Sequence, residues 1–260
     1  MSRLEPIAGK DRNISGWQKD MPDDRDKKMA VGFFTRLKHP SIKTLRTEPY
    51  ISKVEDQDAI GSCTCNSSTS AQEMVLKKSG KDIQLSRLWP YAEVRKLEGT
   101  PLTEDSGAQI RNVMKVLAKK GCPLESEYPY DLSKWNKNPP KALEAEAAKN
   151  QILIYYRCPN LDQICASIAQ GFAVVGGFRC PVSLFSAETA KTGIIKFDPI
   201  RGFRGGHAVL FTGYNDKTKL LEFQNSWSED WGDKGYGYLP YQYVERGYAD
   251  DFWTIRLAEV

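Results

Sequence analysis

Only two histidines occur in this chain, His39 and His207. His207 stands in GGHAVLFTGY, Asn225 follows in FQNSW, and Cys63 lies far upstream in QDAIGSCTCN. A thiol needs a base to become a thiolate near neutral pH, and an imidazole base needs a third group to fix its tautomer. A Cys, then a distant His, then an Asn can supply all three. His39 sits in a basic, proline-flanked segment with Arg36, Lys38 and Pro40, which leaves His207 as the base.

Cys63 is expected to open a helix, whose N-terminal dipole and free N–H groups would lower a thiol pKa that starts near ~8.5. Cys65 is the competing nucleophile, but two residues of helix turn it by ~200° from Cys63. It reads as a small core residue under the site. A metal site on Cys63 and Cys65 would want further ligands, and no other Cys or His stands nearby in sequence. No metal or organic cofactor is expected.

These residues carry a resemblance. Gly61-Ser62-Cys63 behind a Gln57-led stretch, then GGHAV, then NSW, are similar to the nucleophile, histidine and asparagine motifs of papain-like cysteine peptidases. Bacterial-type members of that family are also similar in GWQKDMPDDRD (Gly16–Asp26), EDSGAQIR (Glu104–Arg111) and WGDKGYGYLP (Trp231–Pro240). The resemblance therefore runs from about Gly16 to the C-terminus. Two departures stand out: Thr64-Cys65-Asn66 replaces the usual aromatic after the nucleophile, and Ile60 stands where secreted relatives carry a disulfide-forming Cys.

The resemblance implies an α+β, papain-like two-lobe fold, with a helical left lobe, an antiparallel β-barrel-like right lobe and the cleft between them. It implies that the Gln57 side chain joins the Cys63 N–H in holding an oxyanion, that Asn225 orients His207, and that Trp227 shields their bond with Trp231 behind it. Asp105-Ser106-Gly107 resembles the loop that pairs with substrate backbone in antiparallel β fashion, and one of these residues is also expected to cap the next helix. By analogy the substrate side draws on Trp227, and its S2 pocket on Ala208 and the Val174–Gly177 strand, where Ala208 and Gly176 are small enough to leave room for a bulky apolar side chain. The implied reaction is peptide hydrolysis through a Cys63 thioester. The same residues could instead pass the acyl group to an amine, as a transglutaminase- or ligase-like enzyme does. A catalytically silent peptide-binding module is the third reading, against which the intact Cys63, His207, Asn225 and Gln57 argue.

Along the chain, residues 1–53 are charged and proline-rich with an apolar island at Ala30–Phe34, and read as an N-terminal extension. It is either an inhibitory pro-segment or a permanent strap across the enzyme, with the strap preferred because no sustained helical pattern appears. Residues 54–260 form the peptidase domain, helical to about 150 and β-rich from about 151. Helices are expected from Ser62 to Ser79-Gly80, after Ser86, after Asp105 or Ser106 up to Gly121, within Lys141–Lys149, and over Leu161–Ala169 capped by Asn160. QILIYYR, FAVVGGF, GIIKF, HAVLFTGY, KLLEFQN, GYGYLPY and DFWTIRL read as strands. Helices first and strands second argue for an α+β class.

Composition sets the bounds. The chain has 260 residues, 40% of them hydrophobic, with 6 Trp, 12 Tyr and 10 Phe, which suits one large packed unit rather than a disordered one. With 37 basic and 33 acidic residues the net charge is only +4, and the lysine runs at 115–120 and 134–141 are interrupted, so no nucleic-acid partner is expected. No stretch approaches the ~20 apolar residues of a membrane span, and MSRLEPIAGKDRN lacks the apolar core of a secretory signal. The expected protein is a monomer acting on peptide or protein substrates, cytoplasmic or exported by a non-classical route. Its 6 cysteines are expected as free thiols, with Cys158 and either Cys180 or Cys165 the pairs that could otherwise meet.

Overall fold

The computed structural model describes residues 12–30 and 39–259. The apolar island at Ala30–Phe34 and the basic residues Arg36 and Lys38 fall, apart from Ala30, outside the described residues.

The molecule is organised around one buried helix. α1 (Cys63–Lys78) is buried from Cys63 to Leu76, and its side chains there are mostly small: Thr64, Ser67, Ser68, Ser70, Ala71. Small residues let other elements approach from all sides, and some hydroxyls turn back onto the helix, as Ser67 does in donating to the Cys63 carbonyl at 2.8 Å. Ser79 and Gly80, the latter at φ +89°, end it. On one side of α1 lie α2 (Leu88–Leu97) and α3 (Ile110–Lys119). The Ser86 hydroxyl accepts from Trp89 N at 3.1 Å and starts α2. α3 buries Ile110, Val113, Met114, Val116 and Leu117 and ends at Gly121 (φ +77°), where a Cβ would run into the Ala147 carbonyl. Glu73 locks α1 to the start of α2: its carboxylate accepts from Leu85 N and from both Arg87 Nη atoms, each at 2.7 Å.

The other lobe is an antiparallel sheet in the order β4 (Ile152–Arg157), β9 (Ala249–Ala258), β5 (Val174–Pro181), β6 (Phe203–Asn215), β7 (Leu220–Gln224), β8 (Tyr236–Pro240). β2 (Ile42–Thr44) adds to β6, and Leu45 beyond it is fully buried. β1 (Trp17–Gln18) pairs in parallel with β3 (Ala108–Gln109), on the helical lobe. Between these elements run α4 (Leu143–Ala147), α5 (Leu161–Ala169), α6 (Ala187–Thr192) and α7 (Gln242–Glu245). The Asn160 side chain caps α5 by accepting from Gln163 N.

The architecture is the expected α+β two-lobe arrangement, and the strand lobe is an open sheet that does not close into a barrel. Two local expectations need correction. GIIKF does not form a strand: Ile194 makes a lone bridge to Tyr238, because Gly193 in the left-handed region (φ +70°) and Asp198-Pro199 interrupt the run on both sides. Nor do Asp105 or Ser106 cap α3, which begins only at Ile110 after the short β3. The Asp105 carboxylate is engaged elsewhere.

Candidate active site

The nucleophile candidate is placed by a loop held from below. Cys63 is the first residue of α1 and is fully buried. The preceding Gly61 N–H donates to both oxygens of Asp105, at 2.9 and 3.0 Å, and the Tyr91 hydroxyl donates to the same carboxylate. Ser62 hydrogen-bonds Tyr130 at 2.6 Å, and the Tyr130 hydroxyl also donates to the Gln57 carbonyl at 2.8 Å.

The strand lobe contributes the imidazole and the amide through one hairpin. β6 and β7 pair with Leu210 opposite Gln224. This register brings Asn225, the residue after β7, beside His207 within β6. His207 Nε2 lies 2.7 Å from Asn225 Oδ1. As Oδ1 is an acceptor, the proton on that ring nitrogen is fixed and Nδ1 is the basic atom. The Trp227 ring lies on the imidazole with centroids 4.6 Å apart and planes at 26°, and Trp231 packs edge-on behind it at 5.4 Å. The two lobes meet where the Ala208 N–H, next along the chain from His207, donates to Cys63 Sγ at 3.4 Å.

Gln57 is fully buried under this junction. Its Nε2 donates to the Ile60 carbonyl at 2.9 Å, leaving the second amide hydrogen to serve another acceptor, and its Oε1 accepts from Ser226 Oγ at 2.6 Å. Ser226, which sequence reasoning missed, thereby sets which way the Gln57 amide faces. Its place inside NSW, between two singled-out residues, was the available signal.

The cleft is not open. The segment from Arg12 to Asp20 runs through it, and a methyl group placed on Gly16 would lie 2.6 Å from Cys63 Sγ and 2.7 Å from the Gly61 carbonyl oxygen. Gly206 N donates to the Ile14 carbonyl at 2.8 Å and Ala108 N to the Gly16 carbonyl at 3.0 Å, so both lobes bind the segment's backbone. Asn13 Nδ2 donates to the Asp105 carboxylate at 2.6 Å, and Gln18 Nε2 to the Ser106 carbonyl at 3.1 Å. Gly107, at φ +71°, lies flat under the Ser15 and Gly16 carbonyls, where a side chain would clash. Asp105, Ser106 and Gly107 therefore do meet a peptide, but one running parallel to β3 rather than antiparallel. The segment lies in the cleft in the opposite chain direction to the expected substrate.

Further along, the segment is tied to the enzyme body. Arg111 clasps Asp26 through Nε at 2.8 Å and Nη2 at 2.6 Å, Arg157 Nη1 reaches the same carboxylate at 3.2 Å, and Trp253 Nε1 donates to Asp20 at 3.0 Å.

The other expected substrate contacts divide. Ala208 meets Cys63 through its backbone N–H, as above. Gly176 faces away from the cleft: a side chain there would strike Phe252 and Phe211 in the core. The pleat of β5 turns its neighbour Gly177 to the cleft instead, against Trp17. Cys65 is fully buried within the helical lobe, and all six cysteines are buried free thiols. Among the described residues no group of three or more His, Cys, Asp or Glu side chains converges on a possible metal position.

Burial reverses the expected electrostatics. Removal from water pushes the Cys63 thiol up to about 12, against the lowering effect of the Ala208 and Thr64 N–H groups, and the Asp105 charge adds to the rise. The His207 imidazole is pushed down to about 4, chiefly by burial, which outweighs the Asn225 bond, while Arg12 of the covering segment lowers it further. The covered site thus holds a neutral thiol and a neutral imidazole. The helix N-terminus does not win here, because its stabilisation of an anion is smaller than the cost of a charge sealed from solvent.

Comparison with known proteins agrees with this geometry. The model of the papain family cysteine protease matches residues 40–249. An uncharacterized peptidase C1-like protein, L477, of Acanthamoeba polyphaga mimivirus is 32% identical over 268 residues, covering 93% of this chain and 86% of that protein. Chymomexicain of Jacaratia mexicana is 32% identical over 205 residues, covering 76% of this chain and 87% of its own. The crystal structure of xylellain, a cysteine protease from Xylella fastidiosa, superposes with a TM-score of 0.86 at 30% identity, covering 98% of both chains. The chain belongs to the papain family of cysteine proteases and is a cysteine peptidase, a hydrolase acting on peptide or protein substrates.

Proposed function

We propose that Cys63 is the nucleophile, His207 its acid and base, Asn225 the group that orients the imidazole, and Gln57 with the Cys63 N–H the oxyanion donors. The observation that carries this is the His207–Asn225 bond at 2.7 Å, beside a cysteine at a helix N-terminus whose sulfur accepts from the Ala208 N–H. When the covering segment leaves, water and the helix dipole reach the sulfur, and its proton passes to His207 Nδ1. The Cys63 thiolate attacks the scissile carbonyl, forming the C–S bond, and the carbonyl oxygen takes the negative charge between Gln57 Nε2 and Cys63 N. The tetrahedral species collapses, the C–N bond breaks, and His207 gives its proton to the leaving amine. His207 then takes a proton from water, whose oxygen attacks the thioester; the C–S bond breaks, the acid leaves, and Cys63 returns as the thiolate beside the protonated imidazole. Trp227, stacked on the imidazole, keeps bulk water from the Asn225 bond during these transfers.

Residues 12–26 act in this reading as a resident cover. What supports it is the reversed chain direction, which presents no scissile bond in the substrate sense, together with the Asp26 clasp that ties the segment to Arg111 and Arg157. Residues 39–53, by contrast, dock on the strand lobe through β2 and Leu45 and stay with it. In this reading the chain works as a monomer on peptide or protein substrates; its charge is near balanced, with 37 basic and 33 acidic residues, and among the described residues no helix is long and apolar enough to cross a membrane. Its buried free thiols suit a reducing compartment such as the cytoplasm, or export by a non-classical route.

The test is a set of three substitutions read by turnover of a dipeptidyl fluorogenic substrate and by labelling with an irreversible thiol-directed epoxide. Cys63→Ala and His207→Ala lose both, since nucleophile and base act as a unit, while Cys65→Ala keeps both. A dead Cys65→Ala beside an active Cys63→Ala would overturn the assignment.

A further inference from the structure

The covering segment leaves an imprint of what the cleft is shaped to hold. Trp17, the residue after the one against the nucleophile, is only 8% exposed. Its ring lies in a slot between two glycines in the middle of strands: a Cβ on Gly177 in β5 would be 2.2 Å from the ring, and one on Gly206 in β6 would be 2.7 Å from it. Neither glycine has a positive φ, so the backbone does not demand glycine at either place. Glycine weakens a strand interior, and there it marks a close approach by something else. Here that something is a flat ring.

The far end of the slot is polar. Trp17 Nε1 donates to Asp251 Oδ2 at 3.1 Å. Asp251 is aimed there by a bulge: Val175 pairs with Trp253 and Gly177 with Asp250, so two residues of β9 stand opposite Gly176 alone, and Asp251 takes φ +58°. Bulges beside active sites commonly re-aim one side chain. Asp251 Oδ1 already accepts from Arg157 Nη2 at 3.0 Å, so its charge is paired within the enzyme body. Burial and Asp20, a residue of the cover, push the Asp251 carboxyl up to about 7. Asp20 N donates to the same Oδ2 at 2.7 Å, and when Asp20 departs with the cover that oxygen is left to accept from a substrate.

We propose that this slot is the S2 pocket of the open enzyme, that it selects a flat aromatic side chain carrying a neutral hydrogen-bond donor at its far edge, tryptophan foremost, and that Gly177, Gly206 and Asp251 set this preference. The two glycines admit the ring, Asp251 rewards the donor, and Arg157 beside Asp251 disfavours a second cation. This rests on Cys63 being the nucleophile.

The experiment uses the full chain carrying Trp17→Ala, which empties the slot. Fluorogenic peptides differ only at the second residue before the scissile bond: Trp, Phe, Arg or Val. The expected order by kcat/KM places Trp about tenfold above Phe and above Arg, with Val lowest. Adding Asp251→Leu brings the Trp-to-Phe ratio to near one, and adding Gly177→Val instead reverses the Trp-to-Val order. A preference for Arg or Val over Trp, or ratios that neither substitution moves, overturns the proposal. A Trp17→Ala chain that cleaves no peptide and resists iodoacetamide at Cys63 defeats the nucleophile assignment itself, whereas one that cleaves all four alike defeats only the slot. If Cys63 is alkylated but no peptide is cleaved, protection decides: N-acetyl-tryptophanamide slowing alkylation more than N-acetyl-leucinamide supports the slot, and equal protection overturns it.

Discussion

Substituting Gly16 by alanine should switch the enzyme towards its open form without touching any residue of the chemistry. Gly16 does not have a positive φ, so alanine fits its backbone. The obstacle is contact alone: the new methyl group would sit 2.6 Å from Cys63 Sγ, 2.7 Å from the Gly61 oxygen and 3.0 Å from the Gly61 carbon. Favourable heavy-atom contacts lie near ~3.5–4.0 Å, and forcing one extra methyl into a packed site costs about 1–3 kcal/mol. The open state has no such contact, so the whole cost falls on the covered state. At about 1.4 kcal/mol per factor of ten, the open fraction rises roughly 5- to 150-fold. The assay is the rate of Cys63 alkylation by iodoacetamide in the full chain at pH 7, with the modified residue located by peptide mapping. The other five cysteines are buried and serve as internal controls. A rate equal to or below that of the parent chain would refute the argument, and so would an increase spread over Cys65 and Cys122 in place of Cys63.

Gln57→Ala should lower kcat by ~10²-fold with little change in KM, the mark of a lost oxyanion donor; an unchanged kcat would assign that donor elsewhere. The cover should loosen in alkali. In the covered site the thiol is pushed up to about 12 and the imidazole down to about 4, so the pair holds one proton, on sulfur. The open pair also holds one proton, on the imidazole, until pH exceeds an imidazolium pKa that the neighbouring thiolate raises above ~6.5. Beyond that point the covered state binds more protons than the open state, and covering weakens with rising pH up to about 12. Cys63 alkylation in the parent chain should therefore rise above that pH, the advantage of Gly16→Ala closing once the variant is fully open, and a rate that does not rise would contradict the assignment. Glu73→Ala strands the buried Arg87 guanidinium and should cost about 3–5 kcal/mol, a fall in Tm of roughly 10 °C by calorimetry. A smaller fall would mean that Glu55, at 2.9 Å, suffices as the partner.

The sequence by itself determined the candidate reacting groups and the class of fold. With two histidines and one of them in a glycine-flanked β-rich run, Cys63, His207 and Asn225 could be named from residue type and order, and Leu161–Ala169 could be bounded from a capping Asn and helical spacing. These features are local, written into neighbouring residues by propensity and capping. The tertiary structure alone decided which neighbours faced the cleft. Gly176 and Gly177 are indistinguishable as letters, and only the register of β5 against β6 and β9 sends the first into the core and the second under Trp17. Asp105 reads as a helix cap, yet its carboxylate is drawn across to Gly61 N by contacts made 44 residues apart in sequence. Most of all, the protonation of the pair was invisible: a cysteine at a helix N-terminus promises a thiolate, and the cover that buries it restores the thiol. Dielectric environment belongs to the assembled fold, because the residues that exclude water from Cys63 are remote from it along the chain.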